Sequence, residues 1–252
     1  MSRAFEGQVA VVTGASRGIG RAIALDLALE GCVVCVVGRD PAALDALTAG
    51  AGPVKDWLIP RRVDLESDPD IQGLASSLGK VWNGLDILVH CAGLFSFGTI
   101  GETRVEEFDR QYRVNARAPF LLTQALLPAL RAKKGQIVFV NSSAGVLAKP
   151  GAGGYAASKH ALKAVADALR EEIKAEGLRV ISVYPGRTAT PMQAAVSRAE
   201  GVPFLPAALL QPEDVAKVVV DALRLDRGVE ITDITVRPAV RSANPGQEER
   251  GA

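Results

Sequence analysis

The stretch Val9-Ala10-Val11-Val12-Thr13-Gly14-Ala15-Ser16-Arg17-Gly18-Ile19-Gly20 joins an apolar run to a glycine-rich turn, and a helical pattern follows from Arg21. Glycines in a strand-to-helix turn let the chain tighten and let backbone amides approach a pyrophosphate at the helix N-terminus. The spacing G-x-x-x-G-x-G is a variant of the dinucleotide-binding fingerprint. This context predicts a phosphate site whose residues are Gly14, Ser16, Arg17, Gly18, Ile19 and Gly20.

Apolar runs and amphipathic segments alternate along almost the whole chain. The apolar runs predict strands at Val9–Val12, Cys32–Val37, Trp57–Val63, Leu85–His90, Gln136–Asn141, Leu178–Tyr184 and Glu230–Val236. The amphipathic segments predict helices at Gly18–Glu30, Pro41–Thr48, Asp70–Gly79, Val105–Arg131, Tyr155–Glu176 and Pro212–Leu225. This alternation is typical of right-handed βαβ units. We therefore expect one α/β domain over residues 1–252, with a doubly wound parallel seven-stranded sheet, helices on both faces, and a frayed polar tail at about 237–252.

The end of the second predicted strand bears on which dinucleotide is preferred. An NAD-type site usually places an acid there to bind the ribose 2′-hydroxyl, but this chain has Gly38 followed by Arg39. Arg17 lies in the glycine turn, and two guanidinium groups suit a 2′-phosphate, which arginine can bind bidentately. Asp40 is the competing acid, but its position before Pro41 predicts a helix N-cap. The pattern favours NADP(H) over NAD(H).

The bulk composition excludes several classes of protein. The chain has 252 residues, 48% hydrophobic and 23% charged, which is ordinary for a globular protein. Its net charge of +1 offers no electrostatic basis for binding nucleic acid or an anionic membrane. The segment Met1–Gly7 lacks the apolar core of a signal peptide, and no run reaches the ~18 apolar residues of a membrane span. We expect a cytoplasmic protein that binds neither nucleic acid nor membrane.

Cys32 and Cys35 match a C-x-x-C redox pattern within a β-branched run. Residues i and i+3 of a strand point to opposite faces and lie roughly 10 Å apart, whereas a disulfide needs Cα atoms within about 7 Å. These cysteines are therefore expected to be core residues. The chain has two histidines, His90 and His160, and no cluster with metal-ligand spacing, so no metal site is expected.

Tyr155 and Lys159 are four residues apart, and such residues lie on one face of a helix, one turn apart. A free tyrosine titrates near pH ~10, and a nearby positive charge lowers that pKa. A phenol tuned in this way can donate a proton to a carbonyl oxygen or accept one from an alcohol. The pair alone is a weak signal, because tyrosine and lysine recur at this spacing on solvated helix faces.

These motifs and several others together resemble the short-chain dehydrogenase/reductase family over roughly residues 5 to 236. The matching segments, in order, are Thr13–Gly20, Val63-Asp64-Leu65, Cys91-Ala92-Gly93, Val114-Asn115, Asn141-Ser142-Ser143-Ala144-Gly145, Tyr155–Lys159 and Tyr184-Pro185-Gly186. The resemblance implies a Rossmann fold, an NADP(H)-dependent oxidoreductase activity, and assembly into a homodimer or homotetramer through the two long predicted helices.

Carried over position by position, the resemblance implies four catalytic residues. Tyr155 would be the general acid/base, and Lys159 would lower its pKa and hold the nicotinamide ribose. Ser142 would hydrogen-bond the substrate oxygen; Ser143 is the alternative, but a serine thirteen residues before the tyrosine fits the family. Asn115 would anchor a water that links Lys159 to bulk solvent.

The resemblance also implies further contacts with the cofactor, from Asp64, Leu65, Ala92, Gly93, Asn115, Tyr155, Lys159, Pro185, Gly186, Thr188 and Thr190. One position departs from the family, because Cys91 stands where asparagine is usual. That asparagine supports the sheet and the cofactor floor, so we expect altered packing and retained activity. A reactive thiol at Cys91 is the weaker alternative.

The substrate is expected beyond the carboxyl ends of the strands, and the resemblance implies a lid over it at about 188–206. Mostly apolar loops there favour a largely apolar ketone or aldehyde and its alcohol. Lys149, Arg187 and Arg198 leave open a 3-oxoacyl thioester or a hydroxy acid. A binding module that senses NADP(H) without catalysis is the alternative class, which the complete serine, tyrosine and lysine set disfavours.

Overall fold

Seven strands form one parallel sheet in the order β3-β2-β1-β4-β5-β6-β7, in a computed structural model that describes residues 3–239. The strands are β1 (Val9–Thr13), β2 (Val33–Gly38), β3 (Leu58–Arg62), β4 (Ile87–His90), β5 (Gln136–Val140), β6 (Arg179–Pro185) and β7 (Asp233–Val236). The strand order reverses between β1 and β4, and ligands of doubly wound folds bind at such a switch point. The predicted fold is confirmed; residues 240–252 of the predicted tail lie outside the described part.

Helices cover both faces of the sheet. They are α1 (Gly18–Leu29), α2 (Pro41–Ala49), α3 (Asp68–Val81), α4 (Val105–Tyr112), α5 (Ala118–Lys133), α6 (Gly153–Ile173), α7 (Pro191–Ala199) and α8 (Pro212–Arg224). Side chains of α1, α2 and α8 pack in one apolar core, and those of α3, α5 and α6 pack in the other. Within residues 3–239 no helix is both long and apolar enough to cross a bilayer.

Cys32 and Cys35 are buried, free thiols on opposite sides of the sheet, one in each core. Burial raises the pKa of both thiols to about 12. The prediction that they are core residues is confirmed. Asp40 is likewise the predicted N-cap of α2, since its Oδ1 accepts a hydrogen bond from Ala43 N at 3.3 Å.

Two segments differ from the sequence-based expectation. The long helix predicted at Val105–Arg131 contains a π-helical segment, Arg113–Arg117, between α4 and α5. The stretch predicted as a loop at about 188–206 contains α7, which begins at Pro191 after the N-cap Thr190. This start signal was present in the sequence, but α7 is an additional helix between β6 and α8, so a simple alternation of one strand and one helix does not predict it.

Candidate active site

Tyr155 and Lys159 lie in the first two turns of α6, beside the carboxyl end of β5. The Lys159 Nζ is 5.9 Å from the centroid of the Tyr155 ring, as their spacing on one helix face predicted. Only 3% of Lys159 is exposed, and its Nζ donates a hydrogen bond to the Val140 carbonyl at 3.1 Å. The ammonium is therefore fixed between α6 and the carboxyl end of β5.

Ser142 lies two residues after the end of β5 and caps the short 3₁₀ turn Ser143–Gly145, where its Oγ accepts a hydrogen bond from Ala144 N at 3.1 Å. The Ser142 hydroxyl also lies beside the Tyr155 phenol, close enough to act on its pKa. Ser143 is exposed. The structure thus brings together Ser142, rather than Ser143, with Tyr155.

The pKa of the Tyr155 phenol is shifted in the opposite direction to the one predicted from the sequence. Burial raises the pKa of Tyr155 to about 12, and the neighbouring Ser142 hydroxyl acts in the opposite direction. The expected lowering by Lys159 is wrong for the chain by itself, because the ammonium is directed to the Val140 carbonyl and burial costs the phenolate more. Burial also lowers the pKa of Lys159 to about 8.

The buried lysine leads to a prediction about stability. The charged ammonium of Lys159 destabilises the folded state below pH about 8. This destabilisation disappears as the pH rises to the pKa of lysine in the unfolded chain, near ~10.4. Lys159→Met should therefore raise the free energy of unfolding at pH 7 by on the order of 2 kcal/mol, measured by urea denaturation. The difference in the free energy of unfolding between the variant and the wild type should become smaller from pH about 8 upwards.

Lys163→Met is the matched control, because Lys163 is on the same helix but half-exposed and paired with Asp167. It should change stability by less than about 0.5 kcal/mol. A Lys159→Met protein less stable than wild type at pH 7, or a gap independent of pH, would contradict the expected cost of the buried charge.

Asn115 lies in the π-helical segment and is fully buried. Its Oδ1 accepts a hydrogen bond from Leu94 N at 2.7 Å, and its Nδ2 donates to Leu94 O at 2.8 Å and to Ser158 Oγ at 3.0 Å. Asn115 therefore ties the loop after β4 to α6. Its role as an anchor for a water stays a prediction. A π-helical turn is itself frequent at functional sites.

The glycine turn has the close packing that a dinucleotide needs. A Cβ on Gly14, whose φ is +67°, would lie 2.7 Å from Ala92 Cα, and one on Gly20 would lie 2.5 Å from Gly14 O. No side chain of the described residues caps the first turn of α1, so its amides are free to bind an anion. The turn fits a pyrophosphate.

The end of β2 fits a 2′-phosphate. A Cβ on Gly38 would lie 3.5 Å from Ser16 Cβ, so a larger side chain there would enter the space beside Ser16. Arg17 and Arg39 are exposed here. The Arg39 side chain is 55% exposed, with a guanidinium nitrogen 3.8 Å from a Glu66 carboxylate oxygen, a separation too long for a hydrogen bond.

Thr13 joins the carboxyl ends of β1 and β4 at the switch point, a role that the sequence analysis missed. Its Oγ1 accepts hydrogen bonds from Cys91 N at 3.1 Å and Ala92 N at 3.2 Å, and donates to Val89 O at 3.3 Å. Burial raises the pKa of the neighbouring Cys91 thiol to about 12. A thiol that stays protonated is a poor nucleophile, which agrees with a packing role for Cys91.

The remaining predicted contacts lie around the same crevice. Asp64 forms a local turn, with Oδ1 accepting from Glu66 N at 2.9 Å, and Leu65 packs on the core beside α3. Thr188 is buried and donates to Gly186 O at 3.0 Å. The methyl carbon of Thr190 would lie 3.0 Å from a Cβ on Gly18. Pro185 ends β6, while Ile19 and Gly93 are half-buried in the glycine turn and the loop after β4.

The two histidines take no part in this site. His90 stacks on Phe139 at 4.9 Å and hydrogen-bonds Thr123 at 2.8 Å. The exposed His160 hydrogen-bonds Ala156 O at 2.8 Å. In residues 3–239 no group of three or more His, Cys, Asp or Glu side chains is placed to hold a metal ion.

Comparison with known proteins connects this geometry to a family. A family model described as short chain dehydrogenase matches residues 8–201. A glycine betaine reductase of Emericella nidulans is 35% identical over 239 residues, which are 93% of this chain and 19% of that protein, so this chain spans about a fifth of it. An uncharacterized short-chain type dehydrogenase/reductase of Sinorhizobium fredii is 33% identical over 236 residues, with 92% and 91% of the two chains covered.

The fold is also similar to solved structures. A metagenomic short-chain oxidoreductase, crystallised in complex with NADP, superposes with a TM-score of 0.81 and 31% sequence identity. The match covers 94% of this chain and 100% of that one.

Proposed function

Because this chain belongs to the short-chain dehydrogenase/reductase family, we propose that it is an NADP(H)-dependent oxidoreductase that interconverts a carbonyl group and an alcohol. The observation that carries the proposal is the junction of β5 and α6, where the Ser142 hydroxyl lies beside the phenol of Tyr155 and Lys159 lies one turn further on. A binding module without catalysis would have no need for a lysine held in the protein interior.

The three side chains divide the chemistry between them. NADP(H), when bound, supplies or accepts the hydride. The Ser142 hydroxyl holds the substrate oxygen beside the phenol. Tyr155 donates its proton to that oxygen in reduction and accepts one from the alcohol in oxidation. Lys159 stays charged below pH about 8 and holds positive charge beside the ring, where it would also bind the nicotinamide ribose.

The cofactor would lie across the switch point. Gly14, Gly18 and Gly20 would hold the pyrophosphate, and Arg17 and Arg39 the 2′-phosphate. Around the rest of the dinucleotide lie Ser16, Ile19, Asp64, Leu65, Ala92, Gly93, Asn115, Pro185, Gly186, Thr188 and Thr190. NADP in the similar metagenomic oxidoreductase supports this assignment.

The cofactor preference is testable at Arg39. Because hydrogen bonds to charged groups contribute about 1.5–3 kcal/mol, Arg39→Ala should raise the KM for NADPH by about tenfold or more and leave the KM for NADH nearly unchanged. Arg104→Ala is the control, since Arg104 is also exposed but precedes α4. A wild-type preference for NADH, or an equal effect on both cofactors, would contradict the assignment.

A largely apolar carbonyl compound is the substrate class that the surroundings favour. Large apolar side chains are exposed on the loops and on α7 near the site, namely Phe97, Val146, Leu147, Met192 and Leu205. Arg187 is less available for an acidic substrate, because it is paired with Glu200 at 2.7 Å. The pair joins the residue before the proposed lid, which is at about 188–206, to the end of α7 inside it. Oxidation of NADPH against a panel of ketones and aldehydes tests the proposal, and no turnover across the panel would contradict it.

We also propose a cytoplasmic homodimer or homotetramer assembled through α4, α5 and α6. Large apolar side chains are exposed on the first two of these helices, namely Val105, Phe108, Tyr112 and Phe120. Several large exposed apolar side chains on one pair of helices favour an interaction surface there. Sedimentation of the purified protein tests the assembly, and a monomer at micromolar concentration would contradict it.

A further inference from the structure

The loop Leu94–Phe97 after β4 is held on both sides of Phe95 by side chains of the neighbouring helix. Asn115 binds both the N–H and the carbonyl of Leu94, at 2.7 and 2.8 Å. On the other side, Ser96 N donates to Gln111 Oε1 at 3.0 Å, and Ser96 Oγ donates to Glu107 Oε2 at 2.8 Å. Because both neighbours of Phe95 are fixed, its backbone has little freedom to move.

Phe95 packs against the proposed catalytic tyrosine. Its ring lies 5.1 Å from that of Tyr155, edge to face at 72°, an arrangement that aromatic pairs prefer. The two rings form an aromatic corner, meaning the surface made by Phe95 and Tyr155 beside the Ser142 hydroxyl. The position of the loop therefore determines the position of Phe95, which forms one wall of the proposed substrate site.

Gln111 is buried, as is Asn115 on the other side of the loop. Only 1% of Gln111 is exposed, and no acceptor among the described residues lies within reach of its Nε2. A Cβ on Gly154 would lie 3.0 Å from that nitrogen, so the amide sits against the residue before Tyr155. A buried amide left without a partner is costly. The buried Gln111 side chain thus joins the loop, through Ser96 N, to the start of α6 at Gly154.

We propose that Gln111 is a positioning residue that, with Glu107, sets Phe95 against Tyr155, and that the aromatic corner selects carbonyl compounds with a flat apolar group beside the C=O. The proposal rests on the proposed function and names the substrate class of that site. A flat ring stacks on an aromatic wall, whereas a small aliphatic group leaves it uncovered. The Glu107 carboxylate behind the loop disfavours an anionic group at this wall.

The test compares acetophenone with acetone as substrates of the full-length protein with NADPH. Gln111→Leu should lower kcat/KM for acetophenone by about five- to tenfold, the loss expected from one hydrogen bond, mainly through KM. Acetone should change by less than about twofold. Phe95→Leu should have the same effect, and the double variant should lose little more, because both changes remove one wall. Gln72→Leu, an exposed amide on α3, is the control.

A second readout does not depend on turnover. Binding of acetophenone to the NADPH complex of Tyr155→Phe, followed by saturation-transfer NMR, should weaken when Gln111→Leu is added. Equal losses for both ketones, additive losses in the double variant, or unchanged binding would overturn the inference. Should Gln111→Leu not fold, Ser96→Ala removes the contact with Glu107 from the loop side. It should lower kcat/KM for acetophenone relative to that for acetone in the same way. Failure of the wild type to reduce any ketone, with ketone binding still sensitive to Gln111, would refute the proposed function alone.

Discussion

Tyr155→Phe is expected to lower kcat for carbonyl reduction by about 10²–10⁴-fold, the range for loss of a general acid, while NADPH still binds. The substitution removes only the hydroxyl. The ring that packs against Phe95 at 5.1 Å is retained, and Lys159 keeps its bond to the Val140 carbonyl. Steady-state NADPH oxidation measures the loss, and titration of NADPH fluorescence measures cofactor binding.

Tyr112→Phe is the matched control, because Tyr112 is exposed at the end of α4. It should leave turnover unchanged. In the wild type the alcohol-oxidation rate should rise with pH, since the phenolate fraction increases as the solution approaches the pKa of about 12. Turnover by Tyr155→Phe comparable to wild type would refute the assigned acid/base residue, whereas loss of NADPH binding would point to a structural defect.

The fold could be predicted because periodicity and the glycine turn are local signals. The strand predicted at Gln136–Asn141 is β5, and its apolar run reports that both faces are buried. The helix predicted at Pro212–Leu225 is α8, which begins at a proline and ends one residue earlier. The parallel direction of the strands followed from the same alternation, because a helix between two strands returns the chain to the starting edge of the sheet, whereas the order of the strands was not predicted.

The pKa shift of Tyr155 and the contacts that hold the loop Leu94–Phe97 could not be predicted, because both depend on residues that are distant in the sequence. The spacing of Tyr155 and Lys159 shows that they are neighbours, but not that burial outweighs the ammonium and raises the phenol pKa. Gln111 looks like an ordinary polar residue of α4. Its contact with Ser96 spans fifteen positions, and no pattern within either segment signals it.

Gly14→Ala is expected to cause the largest loss of stability together with loss of NADPH binding. The φ of +67° is a left-handed conformation, which costs an alanine about 1 kcal/mol. The new Cβ would also lie 2.7 Å from Ala92 Cα. A backbone atom cannot move aside as a flexible side chain can, so the turn and the loop after β4 must separate. We expect a total loss of about 3 kcal/mol or more, measured by urea denaturation.

Gly52→Ala separates the two contributions. Gly52 has a φ of +56°, but a Cβ there would meet no atom within 4 Å. This variant should lose only about 1 kcal/mol, and it should bind NADPH like the wild type. The excess loss in Gly14→Ala then measures the close approach of the two loops, which Thr13 also holds through its bonds to Cys91 and Ala92. Equal losses in the two variants would mean that the glycine is kept for its backbone conformation alone. A larger loss with weakened NADPH binding would mean that this close approach builds the floor of the cofactor site.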